Sequence, residues 1–386
     1  MSKVSLSDIA TIRMGQSPKG SDCNIERIGL GLLNGPSEFN EFYPEAVQYT
    51  TKGNKVCDTG DILFCVRGST TGRMNIADKQ YAIGRGLASI SNNNNLTSNH
   101  FLKYLLQYNL SNILKITTGS TFPNLTTNGL SSFEFFIPEN MDIEKLNKLL
   151  STLDAKIELN NKINRELEAM AKTLYEYWFV QFDFPNAKGE PYKSSGGKMV
   201  YNEELKREIP EGWEIEYIED ILAKNTGKIQ IPAKYILVNG KYPVIDQGSD
   251  FICGYCNDED ALLNASKEAK IIFGDHTRVL KLINFDFARG ADGTQVMYSK
   301  SDRLPIHLFY YTLLQIDLSN YGYARHYKFL KQTRIILPKK EISNNFEKIV
   351  ITYYKKIKEN IFQNKTLKAQ RDFLLPMLMN GQVSVK

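Results

Sequence analysis

Leu105-Leu-Gln-Tyr-Asn-Leu-Ser-Asn112 returns later in the chain as Leu313-Leu-Gln-Ile-Asp-Leu-Ser-Asn320, with six of the eight positions identical. A self-match of this kind marks an internal repeat, and a repeat decides how the rest of a chain is read. Working outward, other anchors recur in the same order. Asp8-Ile9 followed by Gly15 matches Asp220-Ile221 followed by Gly227. Asp61-Ile-Leu-Phe64 matches Lys270-Ile-Ile-Phe273, Arg85-Gly86 matches Arg289-Gly290, and Leu130 and Pro138 match Leu330 and Pro338. The offset runs between 200 and 212 before Leu130 and then holds at 200. A varying offset means loops of different length on a shared scaffold. A constant one means a single uninterrupted element.

The two loop-rich modules span 1–139 and 211–338. They carry short β-branched and aromatic runs, Ile62-Leu-Phe-Cys-Val66, Phe133-Glu-Phe-Phe-Ile137, Ile271-Ile-Phe273 and Arg334-Ile-Ile-Leu337, punctuated by Gly, Asn, Ser and Pro. This pattern predicts mixed α/β modules of short strands. Each also holds a short helix, near 99–114 and 305–319. His100 and His307 open these equivalent helices and read as caps or surface residues. The stretch 184–210, with Gly189, Pro191, Ser194, Ser195, Gly196 and Gly197, reads as a linker.

The segments 140–183 and 339–386 read as long helices. From Ile143 to Trp178 there is no Gly or Pro. Positions spaced 4,3,4,3 run Leu146, Leu150, Leu153, Ile157, Asn160, Asn164, Leu167, Ala171, Leu174, Trp178. At offset 200 they become Phe346, Val350, Tyr353, Ile357, Asn360, Asn364, Leu367, Arg371, Leu374, Leu378. Eight of ten are apolar in the first series and seven of ten, counting Tyr353, in the second, the mark of a coiled-coil seam. Both seams carry Asn at the same two positions, and a seam Asn sets register at a cost in stability. Antiparallel pairing about the middles would set Asn160 against Asn364 and Asn164 against Asn360, with Leu153, Ile157, Ile357 and Leu367 beside them. Parallel pairing would set Asn160 against Asn360. The antiparallel choice gives a pseudo-twofold tandem repeat. Pro376 should end or kink the second helix near its last turn.

Composition narrows the function classes. No stretch of 18 or more apolar residues exists, so no membrane span is expected, and the first residues have no apolar signal core. The expectation is a cytoplasmic protein. Five scattered cysteines read as reduced thiols, and Cys253-Gly-Tyr-Cys256 lacks the second pair a structural zinc needs. The net charge of +5 permits a nucleic-acid partner without requiring one.

Two similar modules on a twofold rod make a spacing device. Approximate twofold symmetry matches that of duplex DNA, and loops that differ between modules would read a bipartite, asymmetric site. Candidate readers in module one are Gln16, Ser17, Arg67, Ser69, Thr70, Arg73, Arg85, Ser120 and Thr121. In module two they are Lys228, Gln230, Gln247, His276, Arg278, Arg289, Arg325, His326 and Lys328. Arg and Lys can grip guanine or phosphate, Gln reads adenine, and Ser and Thr mostly position on phosphate. The ordinary role of a loop arginine is a solvated charge or local ion pair. Arg85 and Arg289, each beside a glycine, equally suit a structural role.

Motifs for chemistry are missing: there is no GxxxxGK(S/T) phosphate loop, no GxSxG, no HExxH and no Asn/Asp-Pro-Pro-aromatic run. No metal ligand set is evident, and an enzyme acting alone is not expected.

In these features the chain resembles the specificity subunits of type I restriction–modification systems. The matching stretches are Leu6-Ser-Asp-Ile9 leading to Gly15-Gln-Ser-Pro18, Gly60-Asp-Ile-Leu-Phe64 with Arg67-Gly68 and Gly72, and Phe136-Ile-Pro138 before the long helix. In the second half they are Ile209-Pro-Glu-Gly-Trp213 running to Asp220-Ile221, and Tyr242-Pro-Val-Ile245 with Gly248. The resemblance implies an α+β fold with two target recognition domains separated by two long antiparallel helices. It implies a non-catalytic subunit that binds double-stranded DNA and directs two adenine methyltransferase subunits, with two motor–nuclease subunits joining where DNA is cleaved. S-adenosylmethionine, ATP and magnesium would sit on those partners, and none on this chain. A methylase-only assembly with the same fold, and a coiled-coil scaffold with no DNA role, are the alternatives. The second module departs from the pattern: after Gly227 it reads Lys228-Ile-Gln-Ile-Pro232 in place of a Gly-x-Ser/Thr-Pro loop.

Overall fold

The computed structural model describes residues 2–40, 42–93, 98–118, 123–139, 141–223, 229–290, 293–322 and 325–385. The chain divides into two compact units, Met1–Leu159 with Gln363–Lys386, and Asn160–Phe362. These cut across the expected boundaries at 139, 183, 210 and 338, because each long helix contributes one part to each unit.

In the first unit, strand Ser2–Ser5 pairs antiparallel with Glu134–Ile137, Ser2 opposite Ile137. A single helical turn, Leu6–Ile9, buries Leu6 and Ile9 and leads into strand Ala10–Met14. That strand joins Leu87–Asn92, Ile62–Cys65 and Met74–Ile76 in a four-stranded antiparallel sheet. The apolar run Ile62-Leu-Phe-Cys65 is buried throughout, because Ile62 and Phe64 enter one core while Leu63 and Cys65 enter another. A strand buried on both faces needs such a continuous run. A five-stranded sheet completes the unit, and its central strands Leu30–Leu33 and Tyr81–Ile83 are parallel.

The second unit repeats this register by register. Strand Glu214–Tyr217 pairs with Arg334–Leu337, Glu214 opposite Leu337. The offsets of 212 and 200 seen in the sequence carry Ser2 onto Glu214 and Ile137 onto Leu337. Leu6 N donates to Phe133 O at 2.9 Å, and Ile218 N to Thr333 O at 3.0 Å. Asn93 N donates to Ile9 O, and Lys300 N to Ile221 O. The parallel pair recurs as Tyr242–Ile245 beside Phe287–Gly290, Val244 opposite Ala288. Again the inner strand, Lys270–Gly274, feeds two cores, Ile271 and Phe273 to one and Ile272 to the other.

The long helices are Ile143–Tyr175, which closes in a π-helical turn Glu176–Val180, and Lys340–Met379. Their segments run antiparallel inside each unit. In the first, Leu146 and Leu378 line the same small cavity, and Arg371 reaches Asp154. In the second, Asn360 Nδ2 donates to Asn164 Oδ1 at 2.8 Å, and the Trp178 and Phe346 rings lie 6.2 Å apart. Ile157, Asn160, Ile357, Asn360 and Asn364 are buried, and Leu153, Asn164 and Leu367 half-buried. The seam departs from strict 4,3 spacing at matching places in both helices. Asp154 and Tyr354 are buried where Leu153 and Tyr353 were expected, as are Tyr175 and Leu375 in place of Leu174 and Leu374. A straight helix turns every 3.6 residues, so a 3.5-residue seam drifts by one position over its length.

Two expectations need correction. The 184–210 stretch is folded, not a loose linker. Phe184 stacks on Tyr192 and on Trp213, and strands Met199–Asn202 and Arg207–Pro210 form a hairpin. His100 and His307 are not caps. His100 Nε2 lies 3.1 Å from Asp154 Oδ2, and buried His307 has Nδ1 2.6 Å from Glu347 Oε1. Pro376 stands in the last turn of the second helix, which ends at Met379.

Candidate nucleic-acid interface

In the first unit the expected readers converge on one loop cluster. Gln16 N donates to Ile83 O at 2.9 Å, and Arg85 N to Ser17 Oγ at 3.3 Å. Val66 N donates to Gly86 O, bringing the Arg67–Arg73 turn alongside. Thr71 Oγ1 donates to Gly68 O at 2.7 Å and Arg73 N to Thr70 O at 3.1 Å, closing that turn. Arg67 Nε donates to Asn124 Oδ1 at 3.1 Å. Gln16, Ser17, Arg67, Ser69, Arg73 and Arg85 are exposed, and Thr70 half-exposed. Ser120 and Thr121 lie outside the described residues.

Glycine makes this convergence possible. A Cβ on Gly15 would sit 2.1 Å from Gly84 O, one on Gly84 2.4 Å from Asn34 Oδ1, and one on Gly86 2.3 Å from Asn34 O. Only bare backbone fits at such approaches.

The second unit assembles the equivalent loops. Gln230 pairs with Arg289, which also pairs with Ile245. Thr277 Oγ1 donates to Gln247 O at 2.7 Å, and His276 N to Gln247 Oε1 at 3.2 Å. Asp275 ties this turn to the helix at 326–331: His326 N donates to its carbonyl and Tyr327 N to its Oδ1 at 2.8 Å. His276, Arg278, Arg325 and Lys328 are exposed, and Gln230, Gln247 and Arg289 half-buried. Lys228 lies outside the described residues. Arg278 holds φ at +64°, a left-handed backbone that costs a non-glycine residue about 1 kcal/mol.

Two readings change here. His326 is buried, with Nδ1 3.0 Å from Asp275 O and Nε2 3.2 Å from Gly322 O, so it anchors the loop and offers nothing to a ligand. Arg85 and Arg289 are not equivalent. Pairing of Leu33 with Ile83 and of Ile245 with Arg289 places Arg289 at the position of Ile83. Gly290 therefore matches Gly84, and a Cβ on Gly290 would meet Asp246 as one on Gly84 meets Asn34. Burial lowers the pKa of the Arg289 guanidinium, as befits a strand position.

Each unit by itself carries exposed basic side chains on or beside these loops. Arg67, Arg73, Arg85, Arg278, Arg325 and Lys328 form no ion pair among the described residues, whereas Arg13, Arg303, Arg334 and Arg371 all do. Exposed guanidinium groups on loops of small polar residues suit phosphate and base edges. No group of three or more metal-ligating side chains occurs among the described residues. Burial pushes the Cys57 thiol up to about 11 and Cys65 up to about 12, which keeps both protonated and unreactive. Among the described residues no helix is long and apolar enough to cross a membrane. Reasoning from sequence missed Asn34 and Asp246. The 212 offset, had it been carried on from Leu6 to Leu30–Leu33, would have aligned them.

The fold is thus a duplicated α/β module with exposed basic loops, each copy followed by a long helix. Residues 1–169 match the family model described as the type I restriction modification DNA specificity domain. The MjaIX type I restriction enzyme specificity subunit of Methanocaldococcus jannaschii is 29% identical over 87% of this chain and 82% of its own length. The HindI specificity subunit of Haemophilus influenzae is 24% identical over 86% of this chain and 88% of its own. The crystal structure of a type I restriction–modification S subunit from M. genitalium shares the fold, with a TM-score of 0.53 at 19% identity over 98% of this chain and 96% of that one. Residues 1–169 thus match a type I restriction modification DNA specificity domain, and over most of its length the chain is similar to type I restriction enzyme specificity subunits.

Proposed function

We propose that this chain is the non-catalytic subunit that reads a bipartite, asymmetric sequence in double-stranded DNA, one part by the loops of each unit. It directs two adenine methyltransferase subunits to that site, and motor–nuclease subunits join in assemblies that cleave. The observation that carries this reading is that each unit exposes basic side chains that form no ion pair among the described residues: Arg67, Arg73 and Arg85 on loops of one, and Arg278 on a turn with Arg325 and Lys328 at the start of the 326–331 helix in the other. The supporting scaffold repeats residue by residue while these loops differ, as two dissimilar half-sites would require. S-adenosylmethionine, ATP and magnesium belong to the partners in this reading, and the assembly works in the cytoplasm.

The test is co-expression with a type I methyltransferase partner in a host without DNA methylation, followed by mapping of modified adenines. A split, asymmetric motif that requires this chain supports the proposal. The same motif in its absence would assign the reading to the partner.

A further inference from the structure

Resting on that DNA-reading role, we propose that Asn34 reads an adenine in the part of the site bound by the first unit. The parallel strands Leu30–Leu33 and Tyr81–Ile83 end side by side, with Leu33 opposite Ile83. The residues that follow are Asn34 and Gly84. The crevice beyond the carboxyl ends of parallel strands is the common ligand position in open sheets.

Asn34 sits there exposed, and its side chain makes no hydrogen bond among the described residues. The flanking backbone is bare: Gly84 and Gly86 approach Asn34 too closely to carry a Cβ, and Gly15 packs on Gly84. The carboxamide, with Oδ1 over Gly84, is exposed beside the loops of Gln16, Ser17 and Arg85, which are joined by Gln16 N to Ile83 O and Arg85 N to Ser17 Oγ.

A carboxamide presents one donor and one acceptor side by side, matching adenine N7 and N6–H in the major groove. The equivalent residue in the second unit, Asp246, is committed otherwise. Its carboxylate accepts Gly248 N–H at 2.9 Å and lies 3.8 Å from buried Lys281 Nζ. The uncommitted member of the pair is therefore Asn34, and its influence is confined to one part of the site.

The experiment selects bound sequences from a pool of random DNA duplexes with the full chain and its Asn34→Ala and Asn34→Asp variants, alongside thermal unfolding of each. Asn34→Ala should lower the preference for adenine at one position by about 10-fold or more, leaving the other positions unchanged. Asn34→Asp should move that position towards cytosine, whose amino group donates to a carboxylate. Unchanged preference in both variants overturns the inference. So does loss of all enrichment together with a lowered unfolding temperature, which makes Asn34 a fold residue. If the unaltered chain enriches no motif, the DNA-reading role itself fails.

Discussion

Arg371 Nη1 donates to Asp154 Oδ1 at 2.9 Å, and both side chains are largely buried within the first unit. The other carboxylate oxygen accepts from Tyr104 Oη and lies 3.1 Å from His100 Nε2. Carried to the second unit, these positions hold Tyr354, Tyr311 and His307, and the two tyrosine hydroxyls meet at 3.0 Å. In the first unit the ion pair joins the two long helices and Tyr104 fastens the short helix to its carboxylate, whereas in the second unit Tyr311 fastens the short helix to a long one through a neutral hydrogen bond.

Replacing Asp154 with Ala removes the buried counter-charge of Arg371 and leaves only the exposed Asp372, 3.0 Å from its guanidinium. Breaking a buried pair in this way costs about 3–5 kcal/mol. Chemical denaturation should show that loss, and the Asp154→Ala/Arg371→Leu double variant should recover part of it. Equal stability of Asp154→Ala and the parent would mean the pair is solvated.

Acid should expose the same contact. Burial alone would raise the Asp154 carboxyl, but hydrogen bonds from His100, Tyr104 and Arg371 outweigh it and hold it well below the usual carboxylate range. A depressed folded value stabilises above the unfolded value of about 3.9 and is lost as pH falls towards the folded one. The stability gap between the parent and Asp154→Asn should therefore shrink below about pH 4. A gap constant down to lower pH would contradict the assignment.

In the second unit, Asn360→Leu strands the amide of Asn164 and should cost about 1–3 kcal/mol. The Asn164→Leu/Asn360→Leu pair should match or exceed the parent in thermal stability. Its engineered cysteine crosslinks across that seam should scatter over several registers, since the polar pair sets alignment. A single sharp register in the double variant would assign that role elsewhere.

Arg278 separates stability from binding. Its φ of +64° suits glycine, so Arg278→Gly should unfold no earlier than the parent. DNA affinity should fall, and the logarithmic salt dependence should lose about one unit of slope if the guanidinium meets a phosphate. An unchanged slope would make Arg278 a base reader or a bystander.

Gly15→Ala would drive a Cβ against Gly84 O, at 2.1 Å before any adjustment. The loop carrying Gln16 and Ser17 must then part from Arg85. Binding selection should retain the second part of the motif and blur the first. Loss of both parts would mean that the units do not read independently.

Much of this architecture was legible because repeats and heptads are patterns of backbone and burial. The match of Leu105–Asn112 to Leu313–Asn320 announced two copies, and the paired offsets are those that set Ser2 opposite Ile137 and Glu214 opposite Leu337. The seam asparagines at 164 and 360 were legible for the same reason. The reading loops were legible only as lists. Composition marks which residues are polar and near glycine, but not which of them face solvent. His326 entered on that basis and proved to be buried between carbonyls, while Asn34 was passed over because no motif surrounds it.

By itself, the sequence determined the duplication, the order of strand, loop and long helix in each copy, and the asparagine positions shared by the two helix seams. Local periodicity and recurrence encode these directly. The tertiary structure decided what contacts across the fold decide: that Asp154 takes the seam from Leu153, that Gly84 and not Gly86 matches Gly290, and that Asn34 stands uncovered where two parallel strands end. Those outcomes depend on which atoms meet across tens of residues of chain, and no local pattern specifies such meetings.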